Sequence, residues 1–473
     1  MPSSKTVQRR LAPRWRFFSQ SNDGELYIEG ISVSHIAHKY GTPVYVMVER
    51  EIRDRLRRFQ NAFSYPKLRP QYASKCNSNL EILRMCREEG FDLDASSVGE
   101  IILGLLADFT PEQITFTNLF KTEQDILFAA KIGVSAITLD SLEEISRTER
   151  LGQKISQKIK IFLRINPMIS LGKYSTKKHK YGIPLHQAKK AINQAIASEY
   201  LDLKGLHFHG ANITDPRAYY LAARKLLQLA KYSLQKGNRI ENIDLGGGFP
   251  VQVGSDKKCF QPEDMGIDFS RYFERQCHNI GLAPPTLIFE PGKFIVQNSG
   301  IGITKIVSKK KLPFGDVLVV DGSTYSFVPD VIVAHEKYAI LPATKMNKPF
   351  NKNYDVAGCT CDIIDAIAIK HKFPLLDEND LLLIMDVGAY SSVLATNFNT
   401  LKRAPMVLVR ENQSLKLIRR RDRYSEMFAP ELDILKVADP KELKNYYNLH
   451  RTSIDKIWAG NTNGNGKKHD TNS

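Results

Sequence analysis

Between residues 70 and 290, short apolar runs alternate with longer amphipathic stretches. This alternation predicts parallel strands joined by helices. Eight such units in one region favour a (β/α)8 barrel over an open doubly wound sheet. The predicted strands are Gln71–Lys75, Phe91–Ser96, Gln113–Thr117, Ser135–Leu139, Ile159–Asn166, Leu203–His209, Asn242–Gly246 and Thr286–Glu290.

The stretches between these runs have helical patterns. "NLEILRMCREEG" (79–90) places its apolar residues on one face and ends at Gly90, a residue type common after helix C-termini. "TEQDILFAAKIG" (122–133) repeats the scheme, with Thr122 as a candidate N-cap.

A barrel predicts where the chemistry lies, because active sites of this fold form at the C-terminal ends of the strands. Nearly every predicted strand here ends in a polar or glycine cluster, which purely structural strands would not require. The strand ends carry Lys75, Asp94 with Ser96 and Ser97, Asn118, Arg164 with Asn166, His209, Gly246 to Gly248, and Glu290.

After residue 300 the pattern changes to strands without intervening helices, which predicts an all-β domain. The early strand candidate "GELYIEG" (24–30) has no local partner and is expected to join that later sheet. The predicted domains are an N-terminal segment with this strand (1–42), the barrel (43–299), the β-domain (300–430) and a C-terminal extension (431–473) with a disordered end.

Composition limits the class of protein. The net charge is +16, with 67 Lys and Arg against 51 Asp and Glu, but no nucleic-acid motif accompanies the excess, which lies partly at the chain ends. No stretch has the length and apolarity of a membrane span. Six cysteines without disulfide-framework density favour a reducing compartment, so we expect a cytoplasmic protein that binds neither nucleic acid nor membrane.

Lys75 ends the first barrel strand. A lysine at that position can bind phosphate, form a salt bridge or form a Schiff base. The last role needs a carbonyl cofactor such as pyridoxal phosphate, with a cradle for its phosphate and a group at its ring nitrogen.

Three later segments could supply those parts. "DLGGGFP" (244–250) leaves backbone N–H groups free to approach an anion, although a tight turn explains it equally well. Glu290 in "FEPGKF" (289–294) could hold a pyridine nitrogen protonated or form an ordinary salt bridge. His207 and His209 share one strand face; without a third ligand cluster we expect no metal site, with His209 over a planar ring and His207 in the core.

These segments, in this order, resemble the fold-type III pyridoxal-phosphate decarboxylases. The resemblance is strongest to the diaminopimelate decarboxylase family, which is related to ornithine and arginine decarboxylases of the alanine racemase-like fold. It runs from about Leu26 to Phe428. Its motifs are "YGTPVYVM" (40–47), "YASKCNSN" (72–79), "DLDASSVGEI" (92–101), "KYGI" (180–183), "DLGGGFPV" (244–251), "EPG" (290–292), "CTCDIIDAIA" (359–368), "DVGAY" (386–390) and "LIRRRDRYSEMF" (417–428).

The resemblance implies pyridoxal 5′-phosphate as cofactor, held by Lys75 as an imine whose burial would favour the neutral amine. An α-amino acid would displace Lys75, lose CO2 through a quinonoid and be protonated at Cα. Cofactor contacts would come from His209, Asn212, Gly246, Gly247, Gly248, Glu290, Gly292 and Tyr390.

The resemblance also implies residues that act on the substrate. Cys361 would donate the proton to Cα, and Asp362 would contact the distal amino end of the substrate. Both would reach in from the partner subunit of a homodimer with shared active sites.

The family pattern breaks where the second carboxylate of diaminopimelate would bind. Lys293 replaces the arginine after "EPG", and Val328 and Ile332 stand where an arginine and a tyrosine are expected. Asn212 replaces a phosphate-contacting serine, which exchanges one hydrogen-bonding group for another. Lys293 and Asp362 remain the candidate substrate contacts.

We therefore expect a diaminopimelate decarboxylase-like enzyme. Alternatives are a decarboxylase of another diamino acid, lysine- or ornithine-like, or of a specialised-metabolism amino acid. A racemase of the same fold is less favoured, because Glu290 is a strong acid where racemases avoid one. A non-catalytic cofactor carrier would explain the missing arginines, but Lys75, His209, Glu290 and Cys361 are all present.

Overall fold

The computed structural model describes residues 11–254 and 259–437. It begins with a small antiparallel sheet of β1 (Phe18–Gln20), β2 (Leu26–Ile28) and β3 (Ile31–Ser32). Helix α1 (Val33–Tyr40) follows, capped by the Ser32 side chain, which accepts from the His35 N–H. Next come β4 (Val44–Val48) and α2 (Glu49–Ala62).

Eight parallel strands then form a closed barrel. Each predicted run overlaps one of them, so the predicted barrel is confirmed. They are β5 (Leu68–Ala73), β6 (Asp92–Ala95), β7 (Ile114–Thr117), β8 (Ala136–Leu139), β9 (Ile159–Asn166), β13 (Leu201–His207), β14 (Asn242–Asp244) and β15 (Thr286–Phe289), with β10 (Ser170–Leu171), β11 (Tyr174–Ser175) and β12 (Ile183–Pro184) after β9. The β8–β9 pairing joins the series into a ring.

Helices follow the barrel strands and cover them: α3 (Leu80–Glu88), α4 (Val98–Leu106), α5 (Glu123–Ile132), α6 (Leu142–Lys154), α7 (Ala188–Ala197), α8 (Arg217–Gln235), α9 (Gly266–Asn279) and the short α10 (Lys293–Val296). The Thr122 N-cap prediction is confirmed, since its side chain accepts from the Asp125 N–H. Gly90 has φ +80° just after α3, a conformation that glycine adopts without strain.

The remaining strands build a second sheet, as predicted. They are β16 (Gly300–Leu312), β17 (Gly315–Val320), β18 (Ile340–Pro342), β19 (Lys352–Ala357), β20 (Ala366–Phe373), β21 (Leu381–Met385), β22 (Met406–Val409) and β23 (Leu415–Arg419), with short helices α11 (Asp330–Val333) and α12 (Ser391–Leu394) between them. A separate unit after Arg421 contains α13 (Tyr424–Met427) and α14 (Ala429–Val437). Residues 438–473, most of the predicted extension, lie outside the described residues.

An N-terminal strand does complete the second sheet, but it is β4 and not the segment 24–30. Strand β4 pairs antiparallel with β16 and parallel with β22. Strand β2 instead pairs with β1 and β3, and its Leu26 N–H donates to the Ala343 carbonyl at 2.8 Å. We therefore propose that the barrel domain begins at α2, at Glu49, rather than at residue 43.

Asp386 ties the N-terminal segment to both sheets. Its buried carboxylate accepts hydrogen bonds from Trp15 Nε1 at 2.8 Å, Asn298 Nδ2 at 2.7 Å, Arg14 Nη2 at 3.1 Å and the Gly254 N–H at 3.2 Å. Four donors from three separate segments converge on one residue, so its loss would leave buried donors without partners. No helix in the described part of the chain is long and apolar enough to cross a membrane.

We predict that Asp386→Ala lowers the free energy of unfolding by about 3 kcal/mol, because a buried charge network loses its acceptor. Chemical denaturation followed by circular dichroism measures the change. Asp268→Ala is the control, since that carboxylate is 81% exposed and 3.9 Å from Arg271. Equal stability of the two variants would contradict the role assigned to Asp386.

Candidate active site

One cavity of about 140 Å³ lies where the C-terminal ends of barrel strands meet the second sheet. Residues predicted from the sequence make up most of its wall: Lys75, His209, Asn212, Gly247, Gly248, Glu290, Gly292, Lys293 and Tyr390. Ala73, Cys76, Ala211 and Phe249 complete it. Gly246 adjoins the wall, because its carbonyl accepts from the Glu290 N–H at 3.0 Å.

Lys75 enters the cavity from a 3₁₀ turn (Ser74–Cys76) directly after β5. Ser74 anchors the turn with hydrogen bonds to the Asp94 carbonyl and the Glu100 carboxylate. The Lys75 Nζ lies 3.4 Å from Asp94 Oδ2. The turn thus holds the amine at the barrel mouth beside a carboxylate.

Burial favours the neutral amine of Lys75, as expected, but it does not decide the protonation of this residue. Burial does oppose the ammonium, but the negative charges of Asp94 and Glu290 outweigh it and raise the pKa of Lys75. For Asp94, burial and the neighbouring Glu290 raise the pKa to about 7, although Lys75 opposes them. If a carbonyl group bonded to the Lys75 nitrogen and removed its positive charge, the pKa values of Asp94 and Glu290 would therefore change as well.

Glu290 follows β15 and is almost fully buried. Its Oε1 lies 3.1 Å from His207 Nε2, and its Oε2 lies 3.5 Å from His209 Nδ1. Burial would raise the pKa of Glu290, but His207 and Lys75 prevail and hold it well below its ordinary value. Glu290 is therefore an ionised carboxylate inside the barrel.

His209 is neutral in this arrangement. Burial is the main cause that lowers the pKa of His209, to about 4. Its Nδ1 accepts a hydrogen bond from the Gly247 N–H at 3.2 Å, so the ring proton belongs on Nε2. A neutral imidazole at the cavity wall can lie against a planar ring without adding a second positive charge beside Lys75.

The glycine loop leaves its backbone open to the cavity. Gly248 has φ +98°, and a Cβ there would overlap the Ala211 carbonyl oxygen. A Cβ on Gly247 would overlap the Glu290 carbonyl oxygen. Only glycine fits at these two positions, and its bare main chain can approach an anionic group closely.

Tyr390 brings the second sheet to the barrel mouth. Its N–H donates to the Cys76 carbonyl at 2.8 Å, and its hydroxyl accepts from Cys76 Sγ at 3.2 Å. Lys293 Nζ lies 5.5 Å from the centre of the Tyr390 ring. Tyrosine and lysine therefore close the wall opposite Glu290 with one hydroxyl and one cation.

Cys361 and Asp362 do not line this cavity. Cys361 is exposed, with its Sγ 3.6 Å from Asn399 Oδ1. Asp362 accepts a hydrogen bond from the Tyr325 hydroxyl at 2.7 Å, which is the main cause that lowers the pKa of Asp362. Within one chain these two residues belong to a different surface from Lys75.

The structure also shows where Val328 and Ile332 lie, the two residues that replace the arginine and tyrosine expected from the family. Val328 is fully buried and Ile332 is half-buried at α11. Neither lines the cavity. Neither position offers a hydrogen-bonding side chain to a carboxylate.

Sequence reasoning missed part of the acid cluster. The sequence marks Asp94 as a strand end without a role and Asp244 only as part of a glycine motif. His207 is buried, as expected, but it also contacts Glu290 rather than only filling the core. The expectation of no metal site rested on the lack of a third ligand near the histidines, and this premise was incomplete. Ligand atoms of His207, Asp244 and Glu290 lie within 4.8 Å of one another.

These residues fit a pyridoxal phosphate group. A primary amine and a buried carboxylate lie in the same cavity, and glycines whose Cβ atoms would clash expose the main chain beside them. Amine, ring-nitrogen acid and anion cradle are the three features that such a group needs.

Comparison with known proteins also indicates a pyridoxal phosphate site. Residues 49–297 match the family model of the pyridoxal-dependent decarboxylases, pyridoxal binding domain. A diaminopimelate decarboxylase from Aquifex aeolicus is 29% identical over 88% of this chain and 98% of its own length. Another from Pseudomonas aeruginosa is 30% identical over 86% and 97%. The crystal structure of diaminopimelate decarboxylase from M. jannaschii in complex with L-lysine superposes with a TM-score of 0.81 at 27% identity, covering 88% of this chain and 98% of that one.

We predict that His209 titrates near pH 4 in the folded protein, well below the usual 6.5. Its neutral form is favoured by folding, so its contribution to stability is complete above pH 6.5 and is lost as the pH falls towards 4. Nuclear magnetic resonance of ¹⁵N-histidine-labelled protein, with His209→Gln to assign the signal, measures the titration. A midpoint near 6.5 would contradict the neutral ring.

Proposed function

The chain belongs to the family of pyridoxal-dependent decarboxylases, and on that premise we propose that it removes CO2 from a diamino acid of the diaminopimelate type. The observation that carries this proposal is the pairing of Lys75 with an ionised, buried Glu290 in one cavity. Pyridoxal phosphate, when bound, supplies an aldehyde that combines with amines and a ring that accepts the electron pair left by departing CO2.

The chain's own residues would each do a distinct task. Lys75 would hold the cofactor and be released when the substrate amine arrives. Glu290 would keep a proton on the ring nitrogen, because an ionised carboxylate in a buried site strongly favours a proton on the base it faces. Neutral His209 would lie against the ring.

The phosphate end and the substrate end need other groups. Gly247, Gly248 and Asn212 would offer main-chain and amide donors to the phosphate, together with the Tyr390 hydroxyl. Lys293 lines the same cavity and would contact an anionic part of the substrate. Val328 is fully buried, and its apolar side chain offers no charge to a carboxylate.

Diaminopimelate is the first candidate substrate. The curated diaminopimelate decarboxylases match this chain over nearly their whole length. The M. jannaschii diaminopimelate decarboxylase was crystallised with L-lysine, the product of decarboxylation of diaminopimelate. This similarity extends over both the barrel and the second sheet.

A second candidate is a diamino acid whose distal end carries only an amine. Apolar Val328 and Ile332 stand where the family binds the second carboxylate, and loss of such contacts ordinarily costs about 2–5 kcal/mol. Asp362, held as a carboxylate by Tyr325, suits a cationic distal group.

We predict that borohydride reduction of the cofactor-loaded protein attaches the cofactor to the peptide that contains Lys75. The Lys75→Ala variant should lose this label, and its kcat should fall by a factor on the order of 10³ or more, as for loss of a covalent group. Peptide mass spectrometry and CO2 release measure the two effects. Lys160→Arg, an exposed lysine on β9, is the control. A label on another lysine would refute the assignment.

We predict that CO2 is released from meso-diaminopimelate, or else from lysine or ornithine, when these and arginine are offered separately. Release from diaminopimelate alone would show that Lys293 and groups not yet assigned replace the missing arginine. Release from lysine or ornithine alone would establish the second candidate. Exchange of the Cα hydrogen without CO2 would contradict decarboxylation and favour racemisation.

We further propose a homodimer in which Cys361 and Asp362 complete the cavity of the partner. Both lie outside their own cavity, and next to them Ile363 is 96% exposed and Ile364 is 53% exposed. Exposed branched apolar side chains of this kind are typical of surfaces covered by a partner. The reducing, cytoplasmic environment remains our proposal, which the free cysteines suit.

We predict that mixing inactive Lys75→Ala and Cys361→Ala proteins after subunit exchange restores activity. In a two-fold dimer with shared sites, half of the molecules are mixed and each has one intact site, so about a quarter of wild-type activity returns. Decarboxylation assays of the mixture measure it. No recovery, with dimers present by sedimentation, would place Cys361 in its own subunit's site or outside catalysis.

A further inference from the structure

Asp244 is a buried acid with unused bonding capacity. It ends β14 immediately before the glycine loop, and its side chain is fully buried. Its Oδ1 accepts the Gly246 N–H at 2.8 Å, whereas its Oδ2 has no hydrogen-bond partner. An orphaned carboxylate oxygen in a barrel core is unfavourable, so a proton or a ligand is needed there.

The groups around Asp244 Oδ2 indicate whether a proton or a ligand satisfies it. Ligand atoms of Asp244, His207 and Glu290 lie within 4.8 Å of one another. Two adjacent buried carboxyl groups cannot both ionise readily, so their pKa values separate. Burial and the charge of Glu290 raise the pKa of Asp244 far above its ordinary value, Asp94 adds to the effect, and the Gly246 N–H only partly opposes it.

Glu290 takes the opposite state because positive charge and the polar ring of His207 lie beside it. His207 Nε2 is 3.1 Å from Glu290 Oε1, and Lys75 adds its positive charge. For His207 itself, burial lowers the pKa despite the pull of Glu290, so its ring is neutral. The one proton of the acid pair therefore belongs on Asp244.

We propose that Asp244 is a positioning residue that keeps a proton on Oδ2 and donates it in a hydrogen bond to Glu290. The proposal deepens the proposed function, on which it rests only in taking Glu290 as the group that faces the cofactor's ring nitrogen. Glu290 is then held by a neutral donor, Asp244, beside the neutral ring of His207.

A neutral donor, unlike a cation, leaves the negative charge of Glu290 available to the ring nitrogen. A cation in the same place would orient Glu290 but cancel its charge, and the carboxylate would hold a proton on the ring nitrogen less well. A protonated acid orients the carboxylate while its full negative charge remains. The same residue also links two parts of the site: Asp244 binds the Gly246 N–H, and the Gly246 carbonyl binds the Glu290 N–H at 3.0 Å. Asp244 thus couples the ring-nitrogen acid to the loop that would cradle the phosphate.

Two variants separate the proton from the hydrogen bonds. Asp244→Asn retains an acceptor for Gly246 and a neutral donor for Glu290 but has no acidic proton. Asp244→Leu has similar size and retains neither bond. Asp92→Asn is the matched control, because Asp92 is a buried aspartate at the opposite end of a barrel strand, paired with Arg69.

The first measurement is infrared difference spectroscopy of the purified protein near neutral pH without added cofactor, in which the spectrum of each variant is subtracted from that of the wild type. We expect a protonated-carboxyl C=O band that Asp244→Asn abolishes and Asp92→Asn leaves in place. A band that survives in Asp244→Asn overturns the assignment of the proton. This result does not depend on cofactor binding, so it stands apart from any failure of the proposed function.

The second measurement follows the ring nitrogen of ¹⁵N-labelled pyridoxal phosphate by nuclear magnetic resonance across a pH series. We expect wild type and Asp244→Asn to keep it protonated alike, and Asp244→Leu to show an acid dissociation constant of that nitrogen about tenfold larger, the effect of one lost hydrogen bond. Equal behaviour of Asp244→Leu overturns the positioning role. If Asp244→Leu does not fold, the infrared result for Asp244→Asn decides. Stoichiometric metal in the wild-type protein that is lost in Asp244→Asn would instead identify a cation site and overturn the proposal.

Discussion

The charge of Glu290 is the interaction on which the rest of the site depends. A carboxylate this deeply buried would ordinarily be neutral, since removal from water penalises its ionised form. Here His207 Nε2 lies 3.1 Å from one of its oxygens and Lys75 lies within electrostatic reach, so it stays ionised. Its charge in turn adds to the effect of Asp94 in raising the pKa of Lys75 and to the effect of burial in raising the pKa of Asp94.

Barrel closure is what assembles this cluster. In a parallel barrel every strand presents its C-terminal end to the same mouth. Lys75 after β5, His207 at the end of β13, Asp244 at the end of β14 and Glu290 after β15 therefore meet although they are far apart in the chain. Glycines in the β14 loop allow the main chain to pass where a Cβ would clash, so the acid cluster and the glycine loop form one structural unit.

The second sheet contributes differently to the two ends of the site. Tyr390 closes the cavity of its own chain by bonding to both the main chain and the thiol of Cys76. Cys361 and Asp362, only about thirty residues earlier in the same sheet region, do not line it and instead contact Asn399 and Tyr325. The cofactor end is thus built within one chain, while the groups expected at the substrate end lie on an exposed surface.

The barrel and the all-β second sheet follow from the sequence, because strand periodicity is a local pattern. Polar strand ends predicted part of the cavity wall, and the resemblance to the decarboxylase family supplied the rest of the predicted wall residues. The sequence could not determine that β4 rather than residues 24–30 completes the second sheet, since the choice depends on which distant strand offers free backbone partners. Nor could it assign the roles of Asp244 and His207 or the charge on Lys75. Protonation depends on distances of a few ångströms between groups remote in sequence and on the water excluded around them, and only the tertiary structure decides both.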